Sequence, residues 1–547
     1  MPVSREGSVV RNLARVFVSG ALLYAGPSFA AQADHVANLG AADAEAAACA
    51  ALTGLTLGDG ASVLQATAVR AGALQVSAAL TVPKLPAFCR VEGIDRPTAD
   101  SHIRFEVWLP RSAAWNQRFL STGEGGFAGQ IQYGGSGRDA ALDENLRRGF
   151  ATASTDTGHE AADIHFAIGH PERGIDYLRR AKHVTTVAAK EIIARYYGRP
   201  PAHSYFNSCS NGGREGLIEA QLYPDDFDGL IIGAPWNLQS RSTIAHLWMR
   251  RLLSEPGAAI PIEKLAMVHA AVLRACDEAD GLADGVINNP AGCRFEPKML
   301  ECKGPEGPSC LTGKQVSSLT RVYEGPRDPR GGSSIFPGFS PGAEIETFGR
   351  PDKVSGFPEQ FITNFVHQDP NWNWRTFDIE KDMSATLDAG RVGDAGSTDF
   401  EAAKRRGVKI IQYHGWNDIR IPPGGSVRYY EEVEEANGGP AKTQDFYRLF
   451  MIPGMGHCYG DVGASNIGGV GQHPPPARDG AHDLVAALED WVERGVAPSE
   501  FIATKYVSPD PAATAVQFQR RLCLYPAAAK YRGAGDPKDA ANFICVK

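Results

Sequence analysis

Beyond its first thirty residues the chain has no apolar run long enough to cross a bilayer, so no membrane-spanning helix is expected in the mature protein. Positive charge is not in excess either. Lys and Arg number 55 against 63 Asp and Glu, a net charge of −8 that leaves no electrostatic footprint for nucleic acid. Ten cysteines are present, but no C-x-x-C couple is matched by a second, which argues against a zinc site. The start has no twin-arginine pair. What remains is a 547-residue chain, 43% hydrophobic, with material for a large packed core in one big or two linked domains.

Arg5, Arg11 and Arg15 precede an apolar stretch over 16–25 and the small-residue site Pro27-Ser28-Phe29-Ala30-Ala31. That order describes a secretory signal peptide over residues 1–30; the competing reading is an N-terminal helix of the fold. The general secretory route then delivers the protein to the periplasm or the medium. Export suits the cysteines, which fall in close couples: Cys49 and Cys89, Cys276 and Cys293, Cys302 and Cys310, Cys523 and Cys545, leaving Cys209 and Cys458 far apart. An oxidising compartment makes these a disulfide framework, although spacing alone does not settle its connectivity.

From Pro83 the pattern is rich in strands. Residues 103–109 alternate with period two, 118–122 open into the glycine loop Gly123 to Gly129, and 149–157 read as a buried strand. A helix follows with Ala181, Val184, Ala188 and Ile192 on one face, stopped at Gly198 and Pro200. Strands alternating with helices predict an α/β protein with a mostly parallel sheet covered on both faces. Over 236–405 the rhythm breaks into Gly, Pro and aromatic residues, far too long for a loop. The expected organisation is therefore an α/β-hydrolase core over 31–235 and 406–547, with an inserted lid domain over 236–405.

The chemistry centres on Asn207-Ser208-Cys209-Ser210-Asn211-Gly212-Gly213. A short strand before it and a helical stretch after it give the context of a nucleophile elbow, with Ser208 in place of the first glycine of G-x-S-x-G. The next two predicted strands each end in a partner: Asp418 in His414-Gly415-Trp416-Asn417-Asp418, and His457 in Gly454-Met455-Gly456-His457-Cys458. The order Ser210, Asp418, His457 is that of a hydrolase triad, in which the base takes the serine proton and the acid orients the base. Cys209 and Cys458 adjoin Ser210 and His457. If the triad forms, their Cα atoms should lie near disulfide range, about 4.4–6.8 Å. The N–H of Asn211 is the expected first oxyanion donor, with Gly125 or Gly126 supplying the second. In the insertion, Cys276-Asp277-Glu278-Ala279-Asp280-Gly281-Leu282-Ala283-Asp284-Gly285-Val286 offers hard oxygen ligands suited to Ca²⁺, without EF-hand spacing. The alternative is a solvated acidic turn.

Taken together, Cys-Ser-x-Gly-Gly at 209–213, His-Gly-Trp-x-Asp at 414–418, Gly-His-Cys at 456–458 and Cys-Asp-x-x-Asp-Gly-x-x-Asp-Gly at 276–285 resemble the tannase and feruloyl esterase family of secreted serine esterases. The resemblance runs from about Pro83 to the C-terminus. It implies a Ser-Asp-His set whose serine and histidine are joined through their neighbouring cysteines. It also implies a structural Ca²⁺ in the lid, held by Asp277, Asp280 and Asp284 side chains and by Leu282 and Val286 carbonyls, and no organic cofactor. The implied substrate is a small ester of an aromatic acid: a gallate, a ferulate or other hydroxycinnamate, or a terephthalate. Phe361, Phe365, Trp372, Trp374 and Phe377 are candidates for the walls around such a ring, with Arg375 a partner for a carboxylate; the other reading makes them lid core. Two rival functions share these residues. One is an amidase or peptidase, the other a hydrolase-fold binding protein without turnover.

Overall fold

The computed structural model describes residues 43–135, 141–349 and 356–547; the expected signal peptide lies outside them. The strands are β1 (Ser62–Val69), β2 (Gly72–Ser77), β3 (Leu80–Leu85), β4 (Phe88–Asp95), β5 (Ile103–Pro110), β6 (Arg118–Thr122), β7 (Ala151–Thr155), β8 (His203–Cys209), β9 (Gly229–Gly233), β10 (Lys409–Gly415), β11 (Tyr447–Ile452), β12 (Glu500–Tyr506), β13 (Val516–Cys523), β14 (Ala528–Tyr531) and β15 (Phe543–Val546). Among the described residues nine of these form one sheet, ordered β1-β4-β5-β7-β6-β8-β9-β10-β11. Pairing is antiparallel from β1 to β7 and parallel from β7 through β11. The chain leaves β6 first toward β7 and afterwards toward β8. Such a reversal opens a crevice at the carboxyl ends of the strands, where ligands bind in open α/β sheets.

The central strands are buried because neither face meets water, and β9 is apolar throughout. Every residue of β9, Gly-Leu-Ile-Ile-Gly, is buried. Burying each of Leu230, Ile231 and Ile232 stabilises the fold by about 1.5–3 kcal/mol. One face is covered by α1 (Ala181–Tyr197), which turns Ala188, Ala189, Ile192 and Ile193 inward and ends at Gly198 in the left-handed conformation, φ 72°. The other is covered by α8 (Leu484–Arg494) through Leu484, Leu488 and Trp491. Gly229 is required there: a Cβ would lie 2.9 Å from Leu488. The Asp483 carboxylate caps α8 by accepting from the N–H groups of Val485 and Ala486, a contribution of about 1 kcal/mol.

Between β9 and β10, which pair directly, the chain makes its long excursion. Its helices include α3 (Gln239–Leu253), α4 (Ile262–Cys276), α5 (Gly313–Glu324) and α6 (Ile379–Gly393). They pack around two apolar centres, one with Leu265, Val268, Leu319 and Val322, the other with Ile244, Leu247, Phe361 and Met383. The chain then returns through β10, α7 (Gly424–Ala436) and β11. The hairpins β12–β13 and β14–β15 close the C-terminal end. All ten cysteines are paired: Cys49–Cys89, Cys209–Cys458, Cys276–Cys293, Cys302–Cys310 and Cys523–Cys545.

Candidate active site

Ser210 sits between β8 and α2 (Asn211–Leu222) at φ 66°, ψ −124°, a conformation seldom tolerated by a residue with a Cβ. The bend is held by the Ser210 N–H, which donates to Gly233 O at 2.9 Å, and by Ser210 O, which accepts from Arg214 and Trp236 N–H at 3.1 and 2.9 Å. Small neighbours make it possible. A Cβ on Gly212 would lie 1.9 Å from Ser208 Oγ, and one on Gly213 would lie 2.5 Å from Gly233 O. Ser208 is thus accommodated in a glycine position because Gly212 faces it.

Asp418 and His457 follow β10 and β11, and their loops are fastened together. The N–H groups of Trp416 and Asn417 donate to Ile452 O and Met455 O, both at 2.9 Å. A Cβ on Gly415 would lie 2.2 Å from Met455 O, so the two loops meet backbone to backbone. Ser210 Oγ lies 2.9 Å from His457 Nε2, and His457 Nδ1 lies 2.7 Å from Asp418 Oδ2. A carboxylate only accepts, so His457 carries its proton on Nδ1 and leaves Nε2 to accept from the serine hydroxyl. Cys209 and Cys458 bridge the same two loops with their Cα atoms 6.0 Å apart.

Asp418 is fully enclosed. Burial by itself would raise its pKa, but the charge of His457 and hydrogen bonds from His414 and His457 hold it well below the usual carboxylate range. Its Oδ1 accepts from the N–H groups of Arg420 and Ile421 at 2.8 and 3.0 Å. His414, four residues before Asp418 in the same motif, supports this carboxylate from within the core. Its Nε2 lies 3.0 Å from Asp418 Oδ2 and 3.1 Å from Ile421 O, while Nδ1 lies 2.8 Å from Ser426 Oγ on α7. Two acceptors around Nε2 put the proton there. His414→Phe removes one charge-assisted bond from a buried carboxylate, worth about 1.5–3 kcal/mol. The expected result is a kcat roughly 10–100-fold lower with KM little changed. Equal loss of kcat and of folded protein would assign His414 a packing role instead.

Beside the elbow runs the glycine loop after β6. Gly123 lies where a Cβ would come within 2.9 Å of Gly212 Cα, and Gly126, at φ +60°, where one would come 2.7 Å from the Phe357 ring. The loop is anchored from beneath. Glu215 on α2 accepts from Glu124 N–H at 3.0 Å and from Asn211 Nδ2 at 2.9 Å, and Glu124 Oε1 accepts from Ser154 Oγ and Thr155 N–H. Lys182 Nζ reaches Thr122 O at 2.6 Å and Glu124 at 3.3 Å. Burial and the neighbouring Glu124 push the Glu215 pKa well up, against Lys182 and Arg214. Arg214, completely buried, donates to Asn211 Oδ1 at 2.9 Å, to Gly393 O at 3.1 Å on α6, to Tyr177 O and to Leu178 O. Asn211 opens α2, so its N–H is one of those without an acceptor inside the helix.

Above Ser210 lies a cleft of about 880 Å³ lined by Gly125, Gly126, Phe127, Phe357, Ile419, Tyr459 and Val470, with His457 at its floor. A narrow apolar crevice opens from it between Trp236, Phe357 and Ile421. The insertion contributes to the wall through Trp236 and Phe357, not through the aromatics expected from sequence. Trp372, Arg375 and Phe377 are absent from the lining. Phe377 is 3% exposed in the core with Phe361 and Met383. Arg375 lies over the Trp374 ring at 4.8 Å, and Trp372 stacks on His367 at 5.9 Å. Trp372 and Trp374, partly buried, pack against the same apolar centre that holds Phe377, so the hydrophobic effect turns these rings into the lid core and away from the cleft. Burial also pushes His159, another cleft residue, down to about pKa 4, so that it faces the cleft uncharged near neutral pH.

A mixed sheet whose parallel part reverses its strand order beside a strained serine, with a histidine and an aspartate in file from the next strands, defines an α/β-hydrolase. The family model described as "Tannase and feruloyl esterase" matches residues 89–546, and the chain belongs to that family. It is a carboxylic ester hydrolase. It is 40% identical over 535 residues to an uncharacterized esterase of Xanthomonas campestris pv. campestris, with 91% of each chain covered. It is 34% identical to a "Probable feruloyl esterase B-2" of Aspergillus terreus over 84% of this chain and 86% of that one. The crystal structure of feruloyl esterase B from Aspergillus oryzae superposes with a TM-score of 0.84 at 28% identity, covering 92% of this chain and 100% of that chain.

Proposed function

We propose that the protein is an exported serine esterase that hydrolyses esters of aromatic acids through an acyl-enzyme on Ser210. The hydrogen-bonded file from Ser210 through His457 to Asp418 at the floor of the cleft carries this reading. Ser210 Oγ attacks the ester carbonyl while His457 Nε2 takes its proton. Asp418 keeps the imidazole oriented and stabilises the imidazolium. The N–H groups of Asn211 and Gly125 receive the negative oxygen of the tetrahedral intermediate. His457 then protonates the departing alcohol, and water, activated by the same imidazole, releases the aromatic acid. No step calls for an organic cofactor.

The cleft is flanked by Asp163, Glu346 and Asp461 against Arg420. That balance disfavours an acid half bearing a second carboxylate. It favours one bearing phenolic hydroxyls, of the gallate or hydroxycinnamate kind named for the family. The relatives named feruloyl esterase B support the same choice. The test is a comparison of kcat/KM for methyl gallate, methyl ferulate, a terephthalate monoester and the anilides matched to them. Turnover confined to the anilides would make this an amidase. A protein inert toward the whole panel would be a binding module.

Five disulfides support delivery to an oxidising compartment. We further propose a structural Ca²⁺ in the loop after α4. Asp277, Asp280 and Asp284 lie along one turn, with the guanidinium of Arg520 2.6 Å from Asp284, but their ligand oxygens do not all come within 4.8 Å of one another, so the ion would have to draw them together. Burial, and to a lesser degree Asp284 and Asp277 nearby, pushes Asp280 up to about pKa 6, a cost to its ionised form that a bound cation would offset. Those three side chains, with the carbonyls of Leu282 and Val286, would hold the ion, which would neutralise the turn next to Cys276–Cys293. EGTA is expected to lower the melting temperature of the wild type, with recovery on adding Ca²⁺, and Asp280→Asn to remove that response. Identical melting with and without chelator would count against the site.

A further inference from the structure

Among the described residues, one group of three His, Cys, Asp or Glu side chains brings a ligand atom from each within 4.8 Å of the others: His183, Glu219 and Asp226. None of them lines the catalytic cleft. His183 lies on α1, Glu219 in the last turns of α2, and Asp226 in the connection to β9. Glu219 is 1% exposed, and neither of its carboxylate oxygens has a hydrogen-bond donor. A buried carboxylate in that condition is costly unless a cation or a proton neutralises it. Two lysines place their charge near Glu219 without hydrogen-bonding to it: Lys182 is committed to Thr122 O and Glu124, and Lys190 Nζ donates to Asp225 O at 3.0 Å. The donor set is one imidazole nitrogen and two carboxylates, and the His183 ring is held face to face with Tyr223 at 3.8 Å.

We propose that His183, Glu219 and Asp226 form a binding site for a divalent transition-metal ion of the zinc class, clasping α1 to α2 behind the elbow. Nitrogen among the donors selects against Ca²⁺ and Mg²⁺, which take oxygen. His183 Nδ1 and Asp226 Oδ2 stand 2.6 Å apart. Two ligands of a tetrahedral zinc are separated by about 3.3 Å, so the pair must part by roughly 0.7 Å. The His183 side chain is 30% exposed, which gives the ring room to move and the ion a way in. Three protein ligands leave the fourth position to water.

The full chain, stripped of metals and returned to Ca²⁺-containing buffer, is titrated with ZnCl₂ against a chromophoric chelator. One equivalent should bind to the wild type, with an affinity that falls at least about tenfold in Glu219→Gln and in His183→Asn. Zinc should also raise the unfolding midpoint of the wild type and not of the variants. Glu219 is buried, so its variant is the one at risk of not folding; His183→Asn, at a half-exposed position, carries the test in that event. Absence of a zinc equivalent in the wild type would overturn the site and leave a proton shared by Glu219 and Asp226 in its place. Unchanged affinity in a folded His183→Asn protein would overturn it equally.

Discussion

Ser210→Ala brings hydrolysis of methyl ferulate, methyl gallate and nitrophenyl acetate down together, by a factor on the order of 10⁶ in kcat. The size of the effect follows from how the site is assembled. With the hydroxyl gone, His457 has no proton to take and no acyl-enzyme forms. What survives is the background supplied by the cleft and the oxyanion donors, roughly 10³–10⁴-fold over water. The bend itself should persist, because its bonds run through backbone atoms of Ser210 to Gly233, Arg214 and Trp236. Near-native circular dichroism with lost turnover is therefore the expected pair of observations. Residual hydrolysis of all three esters at more than a few per cent of wild type would place the nucleophile elsewhere.

The second large effect comes from the bridge. Cys209→Ser with Cys458→Ser removes a link across 249 residues of sequence, and chain entropy alone assigns such a link about 5 kcal/mol. Stability is only part of the consequence. Each sulfur belongs to the residue next to a reacting side chain, and the 2.9 Å contact between Ser210 and His457 is made by two loops from different strands. A displacement of about 1 Å there is enough to cost on the order of 10²-fold in rate. The expected result is a folded protein at low temperature whose kcat is lower by about that factor, with KM less affected. A folded double variant with wild-type kcat would mean that the Trp416–Ile452 and Asn417–Met455 backbone bonds suffice to hold the loops.

Acid should expose the same arrangement. The native pKa of Asp418 is depressed, so its contribution to stability is complete above the unfolded carboxylate value, about 4, and is lost as the pH falls toward the native one. Replacing His414 removes one of the hydrogen bonds responsible, so stability in His414→Phe should depend less steeply on pH below about 4.

Much of the site was legible because small residues and strand ends leave strong marks. Gly212 and Gly213 have no alternative to glycine, since Ser208 Oγ and Gly233 O occupy the space a Cβ would need. Asp418 and His457 each follow an apolar run that only a buried strand explains. The lid aromatics misled for a physical reason. An exposed ring in a cleft and a ring packed on its neighbours have the same composition, and Phe357 differs from Trp372 or Phe377 only in what lies opposite it. The role of Glu215 was hidden similarly, because a glutamate four residues into a helix is ordinarily a solvated one.

By itself the amino-acid order determined the alternation of strand and helix, the bend at Ser210, the chain order of Ser210, Asp418 and His457, and the neighbouring cysteines. All of these are local, set by side-chain size, period and the conformations a residue permits. Only the tertiary structure decided which insertion residues face the ester, that His414 shares the Asp418 carboxylate, and that Glu219 is left buried beside His183 and Asp226 without a donor. Each of those depends on segments tens to hundreds of residues apart, whose meeting is governed by packing and has no local signature.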